Sequence, residues 1–179
     1  AEYLLVKILK RAKELAKQKK ELFATPALKT FLYNKFGKKD FIENAQLLEV
    51  FAELDDYDIF TSIKVWTKHE DFLLSSLCKN LVNRKLYKVE LQNVPFQENY
   101  INKLRAKVKS RYKLNDEDLH YFIFTDKVAN DAYNSEKIRI NILFKDGKVM
   151  DIAKASDQLN IYVLSQTVTK HFLCYPKDI

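Results

Sequence analysis

The sequence predicts an α+β fold, in which an all-helical N-terminal lobe is followed by a small, mainly antiparallel α+β lobe. The prediction depends on a change of hydrophobic periodicity within the 179 residues. Apolar residues recur every three to four positions up to about residue 83, as on one face of a helix. From Tyr87 they recur at every second position, as on one face of a strand. We place the boundary of the two lobes between residues 84 and 85.

The first lobe is predicted to contain five short helices with short connections. In order, they are residues 1–22; a helix with Thr25 as N-cap, Pro26 at its first position and Gly37 as its stop; one capped by Asp40; one capped by Asp55 or Asp56; and one over residues 73–81. The inward-facing residues should be Leu5, Ile8, Leu9, Ala12, Leu15 and Ala16; Leu28, Phe31, Leu32 and Phe36; Ile42, Ala45, Leu48, Phe51 and Ala52; Ile59, Ile63 and Trp66; and Leu73, Leu74, Leu77, Cys78 and Leu81.

The second lobe is predicted to have the order strand, helix, three strands, helix, strand. Its first strand should bury Tyr87, Val89 and Leu91 on one side. The later elements should be a helix opened by Pro95 with Tyr100, Ile101, Leu104 and Val108 inward; a strand at 120–128; a hairpin joining 138–144 to 149–153 through a turn at 145–148; a helix near 159–164; and a strand at 170–175.

Composition excludes some common classes of nucleotide-binding protein. Glycine occurs at positions 37 and 147 alone, so the sequence has no Rossmann GxGxxG motif and no P-loop. The 31 Lys and Arg residues exceed the 24 Asp and Glu residues, which gives a net charge of +7. This balance favours polyanionic partners, such as a nucleotide, a nucleic acid or an acidic protein surface.

The sequence predicts a cytoplasmic protein without a membrane partner. Cys78 and Cys174 form no CxxC pair, which favours a reducing compartment. No apolar run approaches 18 residues, and residues 1–22 carry charge throughout, unlike a signal peptide. The chain begins at Ala1 without methionine and already in helical register. We therefore expect it to be part of a longer polypeptide.

No catalytic or metal-binding motif is recognisable in the sequence. His69, His120 and His171 are about fifty residues apart, and none belongs to an HExxH motif or precedes an aspartate. We therefore expect structural roles for the three histidines and assign no catalytic residue and no metal ligand. The acidic residues Glu53, Asp55, Asp56 and Asp58 lack the spacing of a calcium loop, and we interpret them as helix caps.

Two basic segments are candidate anion-binding sites. The first is a basic run in residues 103–113 that contains no acidic residue and would cover most of the solvent face of its helix. This face could contact a nucleic-acid phosphate backbone, or it could simply be solvated. The second, around Asn83, Arg84 and Lys88, lies at the lobe junction. There a guanidinium, an ammonium and an amide suit a phosphate or triphosphate, although cations also suit a helix C-terminus. The basic run consists of Lys103, Arg105, Lys107, Lys109, Arg111 and Lys113.

With these segments identified, the sequence resembles the C-terminal part of HD-superfamily phosphohydrolases, in the branch of the deoxynucleoside triphosphate triphosphohydrolases. Residues 54–59 (LDDYDI) and 81–88 (LVNRKLYK) carry the resemblance, and the R-x-L-[FY]-K junction is its most specific motif. The similarity extends from the first helix to the last strand. The further matching segments are 1–12, 25–28, 122–131, 138–144 and 172–175.

The resemblance implies a structural and regulatory role. The divalent metal of this family is held by a His, a His-Asp pair and a later Asp, and this sequence has no His-Asp dipeptide. The metal site should therefore lie upstream of Ala1, in an HD catalytic domain on which residues 1–84 would pack. The parent protein would be a hydrolase of nucleotides, and the 179 residues alone would be inactive. They would hold no cofactor.

The resemblance also implies a regulatory site. In nucleotide-activated members, the Arg and Lys of the junction motif contact phosphates of an activating nucleotide between subunits. The corresponding residues here are Arg84 and Lys88, which implies a nucleotide effector and a homo-oligomer. Two alternatives stay open at this stage. One is a stand-alone nucleic-acid-binding module that uses the basic helix. The other is an assembly module that pairs through an exposed sheet edge.

Overall fold

A computed structural model describes residues 1–130, 140–155 and 168–179. The chain divides into two compact units, Ala1–Tyr87 and Lys88–Ile179, whereas the sequence pattern placed the boundary between residues 84 and 85. The first unit is helical, and the second combines helices with antiparallel sheets. The predicted α+β class is therefore confirmed. The helix predicted near 159–164 and the first residues of the strand predicted at 138–144 lie outside the described residues.

The first unit, all of whose residues are described, contains six helices rather than the predicted five. They are α1 (Glu2–Lys17), α2 (Pro26–Tyr33), α3 (Lys38–Glu43), α4 (Ala45–Glu53), α5 (Asp56–Trp66) and α6 (Phe72–Val82). The predicted third helix is divided into α3 and α4 because Asn44 adopts an extended conformation and caps α4. Its side-chain oxygen accepts a hydrogen bond from the Leu47 N–H at 3.3 Å. Asp40, predicted as an N-cap, lies inside α3 and accepts the Gly37 N–H at 2.6 Å.

The end of α2 also differs from the prediction. The helix ends at Tyr33 rather than at Gly37, whose φ of −112° is not left-handed. The Lys13 ammonium from α1 donates to the Phe31 carbonyl at 2.6 Å and to the Asn34 carbonyl. Burial, followed by the charge of nearby Lys17, lowers the pKa of Lys13. A cation from another helix therefore satisfies the last carbonyls of α2, which local sequence does not reveal.

The core of the first unit lies where α6 packs against α1 and α5. The inward positions predicted for these three helices are confirmed at their most buried residues. Full burial of each larger apolar side chain contributes about 1.5–3 kcal/mol. The most buried residues are Ile8, Ala12, Ile63, Trp66, Leu74, Leu77 and Cys78.

The inward face predicted for residues 41–52 is wrong. Ile42 is 73% exposed, Leu48 55% and Phe51 52%, whereas Leu47 is the buried residue of α4. The Phe51 ring packs edge-on against Phe31, with their centroids 5.6 Å apart. We call Ile42, Leu48 and Phe51 the apolar face of α3–α4.

The second unit is built on a three-stranded antiparallel sheet of order β1-β5-β2 and a separate two-stranded hairpin, β3–β4. Its elements are β1 (Lys88–Gln92), α7 (Glu98–Tyr112), a 3₁₀ helix (Leu119–Tyr121), β2 (Phe124–Asn130), β3 (Asn141–Leu143), β4 (Val149–Asp151), α8 (Ile152–Ala155) and β5 (Val168–Tyr175). The predicted hairpin is confirmed in the described part, and Gly147 in its turn has a φ of +83°. No helix among the described residues is long and apolar enough to span a membrane.

Two details of the second unit correct the predictions. Val89 and Leu91 are 54% and 58% exposed, so they do not form the buried side of β1. The opposite side is covered instead, because Glu90 pairs with buried Leu173 in β5 and accepts a hydrogen bond from Tyr100 of α7. The strand predicted at 120–128 begins at Phe124, since residues 119–121 form the 3₁₀ helix.

Candidate functional site

The candidate anion-binding segment around Asn83, Arg84 and Lys88 begins at the C-terminal end of α6. There the backbone forms a Schellman motif. The Arg84 N–H donates to the Leu81 carbonyl at 3.1 Å, and the Lys85 N–H donates to the Asn80 carbonyl at 2.8 Å. Arg84 occupies the left-handed position of this motif with a φ of +55°. The motif therefore fixes the backbone from which the Arg84 side chain extends.

The polar side chains at this helix end are available to a ligand. Asn83, Arg84 and Lys85 are all exposed. Arg84 and Lys85 have no ion-pair partner within the described parts of the chain. A guanidinium offers two parallel N–H donors to a phosphate. The Arg84 end of α6 is therefore chemically suited to bind a phosphate group.

Lys88, in the second unit, has a different environment. Its ammonium lies 2.8 Å from the Glu90 Oε1 atom and 5.3 Å from the centre of the Tyr175 ring. The hydrogen bond with Glu90, followed by that with Tyr175, raises the pKa of Lys88. Lys88 is therefore charged at neutral pH but already paired with a carboxylate. The structure shows these residues within the second unit, and Arg84 within the first.

Glu90 is the centre of a polar cluster that the sequence analysis missed. Its carboxylate accepts hydrogen bonds from the Tyr175 hydroxyl and from the Tyr100 hydroxyl, the latter at 3.1 Å. Lys88, then Tyr175, lowers the pKa of Glu90, while Tyr175, burial and Glu90 raise the pKa of Tyr100 to about 12. Strand alternation alone places Lys88 and Glu90 on one side of β1. Tyr175 joins them only through the register of β1 with β5.

The basic run lies on α7, as predicted, except for Lys113, which is the C-cap of the helix, and ion pairs neutralise part of the run. Arg105 lies 2.8 Å from Glu98, Lys109 lies 2.7 Å from Asp116, and Arg111 lies 3.5 Å from Asp178. Among the described residues, no acidic partner faces the remaining cations of the run. These pairs reduce the positive surface that a nucleic acid would contact. The unpaired cations are Lys103, Lys107 and Lys113.

Two residues of the acidic run, Asp55 and Asp58, form a helix cap, as predicted, whereas Glu53 is the last residue of α4 and Asp56 the first of α5. The Asp55 carboxylate accepts hydrogen bonds from the Tyr57 N–H at 2.8 Å and the Asp58 N–H at 3.1 Å. The Asp58 carboxylate accepts the Asp55 N–H at 2.9 Å, which completes a reciprocal capping box at the start of α5. These carboxylates are used within the helix end.

The described residues contain no group of three His, Cys, Asp or Glu side chains that could hold a metal ion. The His69 Nδ1 atom accepts the Asp71 N–H at 2.9 Å, and His120 Nδ1 lies 2.6 Å from the Glu117 carbonyl. Within the described part of the chain, neither cysteine forms a disulfide, and burial raises the pKa of Cys78 to about 12. That thiol is protonated at neutral pH and is not a nucleophile.

The geometry thus defines a helical unit with an exposed cationic helix end and an α+β unit without a metal-ligand cluster in its described part. No protein-family model matches the sequence. The chain is similar to a phosphohydrolase from Bacteroides thetaiotaomicron VPI-5482 of known crystal structure, with a TM-score of 0.83 and 41% identity over 98% of this chain. It is also 27% identical over its whole length to the uncharacterized protein YwfO of Bacillus subtilis (strain 168). The chain spans 44% of the phosphohydrolase chain and 40% of YwfO.

Proposed function

We propose that this chain is the C-terminal structural and regulatory region of a metal-dependent phosphohydrolase of the HD superfamily, similar to the dNTP triphosphohydrolases. The observation that carries the proposal is the 41% identity to a phosphohydrolase over 98% of this chain, which spans 44% of that protein. A region with this much similarity is expected to share the fold and the partner surfaces of its relative. The catalytic chemistry then belongs to another part of the polypeptide.

The chemistry of the described residues supports a non-catalytic role. The metal of this superfamily requires histidine and aspartate ligands, and the described residues do not fit it, since no three such side chains converge. His69 and His120 are engaged with backbone groups next to them. In this proposal the metal is held by residues outside the 179, and no step of hydrolysis occurs on this chain.

The exposed apolar face of α3–α4 supports a bracing role for the helical unit. Large apolar side chains that are more than half exposed are costly in water, and clusters of them mark interaction surfaces. We assign this face to packing against the catalytic HD domain. In the same proposal, the α+β unit supports homo-oligomerisation.

The exposed end of α6 supports the regulatory part of the proposal. Arg84 is the primary contact for the phosphates of an effector nucleotide, with Asn83 as a neighbouring amide donor. Lys88 would contribute its charge only after exchanging Glu90 for a phosphate oxygen. Arg84 therefore carries more of the expected binding energy than Lys88.

The test of the proposal is hydrolysis by two polypeptides. The 179-residue chain and the product of the complete reading frame are each incubated with dNTPs and Mg²⁺, Mn²⁺, Co²⁺ or Ni²⁺. We expect release of phosphate or triphosphate from the complete product and none from the 179-residue chain. Metal-dependent turnover by the 179-residue chain that co-purifies with it through successive columns contradicts the proposal, as does a complete product without hydrolase activity.

A further inference from the structure

A pocket of about 510 Å³ lies in the first unit, where the C-terminal end of α5 meets the segment between α1 and α2. Its volume is within the range of small-molecule sites. Neither the junction residues nor the apolar face of α3–α4 belongs to it. It is lined by Phe23, Lys64, Val65, Trp66, Lys68 and His69.

One wall of the pocket is apolar and held in place. Phe23 and Val65 are 47% and 46% exposed, so their side chains are accessible from solvent. The indole N–H of Trp66 donates to the Phe23 carbonyl at 2.9 Å, which ties this segment to the end of α5. Trp66 itself is buried. Phe23 therefore offers one accessible aromatic ring against which a flat ligand ring could stack.

The rest of the lining carries donors and positive charge. Lys64 and Lys68 are exposed, and neither has an ion-pair partner in the described parts of the chain. The His69 Nδ1 atom accepts the Asp71 N–H at 2.9 Å, which leaves the ring proton on Nε2 as a further donor. Two ammonium groups and an imidazole N–H together suit a phosphate, sulfonate or carboxylate.

The two acidic residues next to His69 in the sequence are paired with cations outside the pocket. Glu70 lies 3.8 Å from Lys20, and Asp71 lies 2.7 Å from Arg11. Neither acid lines the pocket. The dipole of α5 explains why lysines are favourable at its C-terminal end. It does not explain why a half-exposed phenylalanine lies beside them.

We propose that this pocket binds a small planar aromatic anion, with its ring against Phe23 and its anionic group at Lys64, Lys68 and His69. Nucleoside monophosphates and aryl sulfonates share this chemistry. The site lies wholly within the first unit and does not depend on the proposed function.

The 179-residue chain is titrated with dAMP and with 2-naphthalenesulfonate, and affinities are measured by calorimetry. The emission of Trp66, the one tryptophan of the chain, is followed in the dAMP titration because Trp66 lines the pocket. Deoxyadenosine and inorganic phosphate serve as the ring alone and the anion alone. We expect saturable binding of at least one aromatic anion. Binding of dAMP alone identifies a nucleotide site, and binding of both identifies a general aromatic-anion site.

Variants locate the site. Replacing both pocket lysines, Lys64→Gln with Lys68→Gln, should weaken binding about tenfold or more, because the anionic group loses both ammonium partners. The matched control, Lys29→Gln with Lys79→Gln, removes the same charge from exposed positions outside the pocket and should change the affinity less than about twofold. Phe23→Leu keeps an apolar side chain but removes the flat ring, and should also weaken binding. Thermal unfolding checks that each variant folds.

Three results would overturn the proposal. One is the absence of saturable binding for both aromatic anions. Another is binding that the control variant weakens as much as the pocket variant. The third is equal affinity for dAMP, deoxyadenosine and phosphate, which would show that ring and charge are not recognised together.

Discussion

Three cationic residues follow the ends of helices in the left-handed conformation that usually favours glycine. Lys19, Arg84 and Lys113 have φ values of 60°, 55° and 52°. At each of these helix ends, a backbone N–H donates a hydrogen bond to a carbonyl of the last turn. A cation at this position also interacts favourably with the helix dipole. A side chain in this conformation still costs about 1 kcal/mol relative to glycine. Arg84 adopts this unfavourable backbone conformation and has an exposed guanidinium, which is the group that the proposed regulatory site uses.

Arg84→Gly separates the role of this guanidinium from its effect on folding. Glycine relieves the left-handed strain, so we expect the free energy of unfolding to rise by about 1 kcal/mol. In the product of the complete reading frame, the same change should weaken activation by dNTP or GTP about tenfold or more, because a guanidinium–phosphate contact is lost. Denaturant unfolding and activation curves measure the two effects.

Lys19→Gly is the matched control for that experiment. It replaces an exposed cation at the same helix position, after α1, and should raise stability by a similar amount. Activation by nucleotide should stay unchanged. If Arg84→Gly also leaves activation unchanged, Arg84 is not part of a nucleotide site.

At the scale of elements, the pair between Arg11 and Asp71 joins α1 to the start of α6. The guanidinium donates two hydrogen bonds to the carboxylate, at 3.1 and 2.7 Å, and both side chains are less than one-fifth exposed. The Asp71 carboxylate also accepts the Leu74 N–H at 2.8 Å and so caps α6. Burial raises the pKa of Asp71, but Arg11 and the Leu74 N–H outweigh it, and the net pKa lies below the ordinary 3.8. One carboxylate thus stabilises both a helix end and a helix–helix contact.

Asp71→Asn should lower the free energy of unfolding at neutral pH by about 2 kcal/mol, because the amide can keep the cap but loses the charged pair. A carboxylate with a depressed pKa stabilises the fold above its unfolded pKa, and this contribution is lost as the pH falls through the folded pKa. The difference between wild type and Asp71→Asn should therefore be constant near pH 7 and shrink below about pH 4. Chemical unfolding at several pH values measures it. A difference that is independent of pH would show that the charge of Asp71 does not contribute.

At the scale of the whole molecule, the fold leaves apolar surface uncovered. The face formed by Ile42, Leu48 and Phe51 lies on the helical unit, outside its core. The side chains of a folded unit are expected to be exposed in this way where another domain packs. Under the proposed function, the amphipathic pattern of residues 41–52 would correspond to packing against another part of the polypeptide, because Ile42, Leu48 and Phe51 do not face the core of the helical unit.

Ile42→Gln with Leu48→Gln tests this assignment. In the 179-residue chain, both side chains are exposed, so the free energy of unfolding should change by less than about 0.5 kcal/mol per substitution. In the product of the complete reading frame, the same changes should lower the melting temperature and the hydrolase activity. Val6→Gln, on an exposed part of α1, is the control and should affect neither protein. A complete product with unchanged stability and activity would contradict packing at this face.

Hydrophobic periodicity predicted the fold class because the burial of α1, α5 and α6 is repeated along each helix, so local spacing is enough to show it. The reciprocal cap of Asp55 and Asp58 was predictable for the same reason, since its bonds span three residues. The break at Asn44 was not predictable, because the apolar pattern continues through this residue. The helix is interrupted there by the capping hydrogen bond from the Leu47 N–H to the Asn44 side chain. The exposed and buried sides of β1 were also not predictable, since strand alternation defines two faces without saying which one a helix covers.

The sequence by itself determined the two-part architecture, the cationic helix end at Arg84 and the location of the basic run on α7. All of these depend on residues that are near neighbours in the chain. Only the tertiary structure decided that Tyr175 joins Lys88 and Glu90, that three cations of the basic run are paired with carboxylates, and that Phe23 and Lys64 share a pocket. These contacts join segments that are distant in sequence or on different turns and strands. Their formation depends on register and packing, which no local pattern of residues encodes.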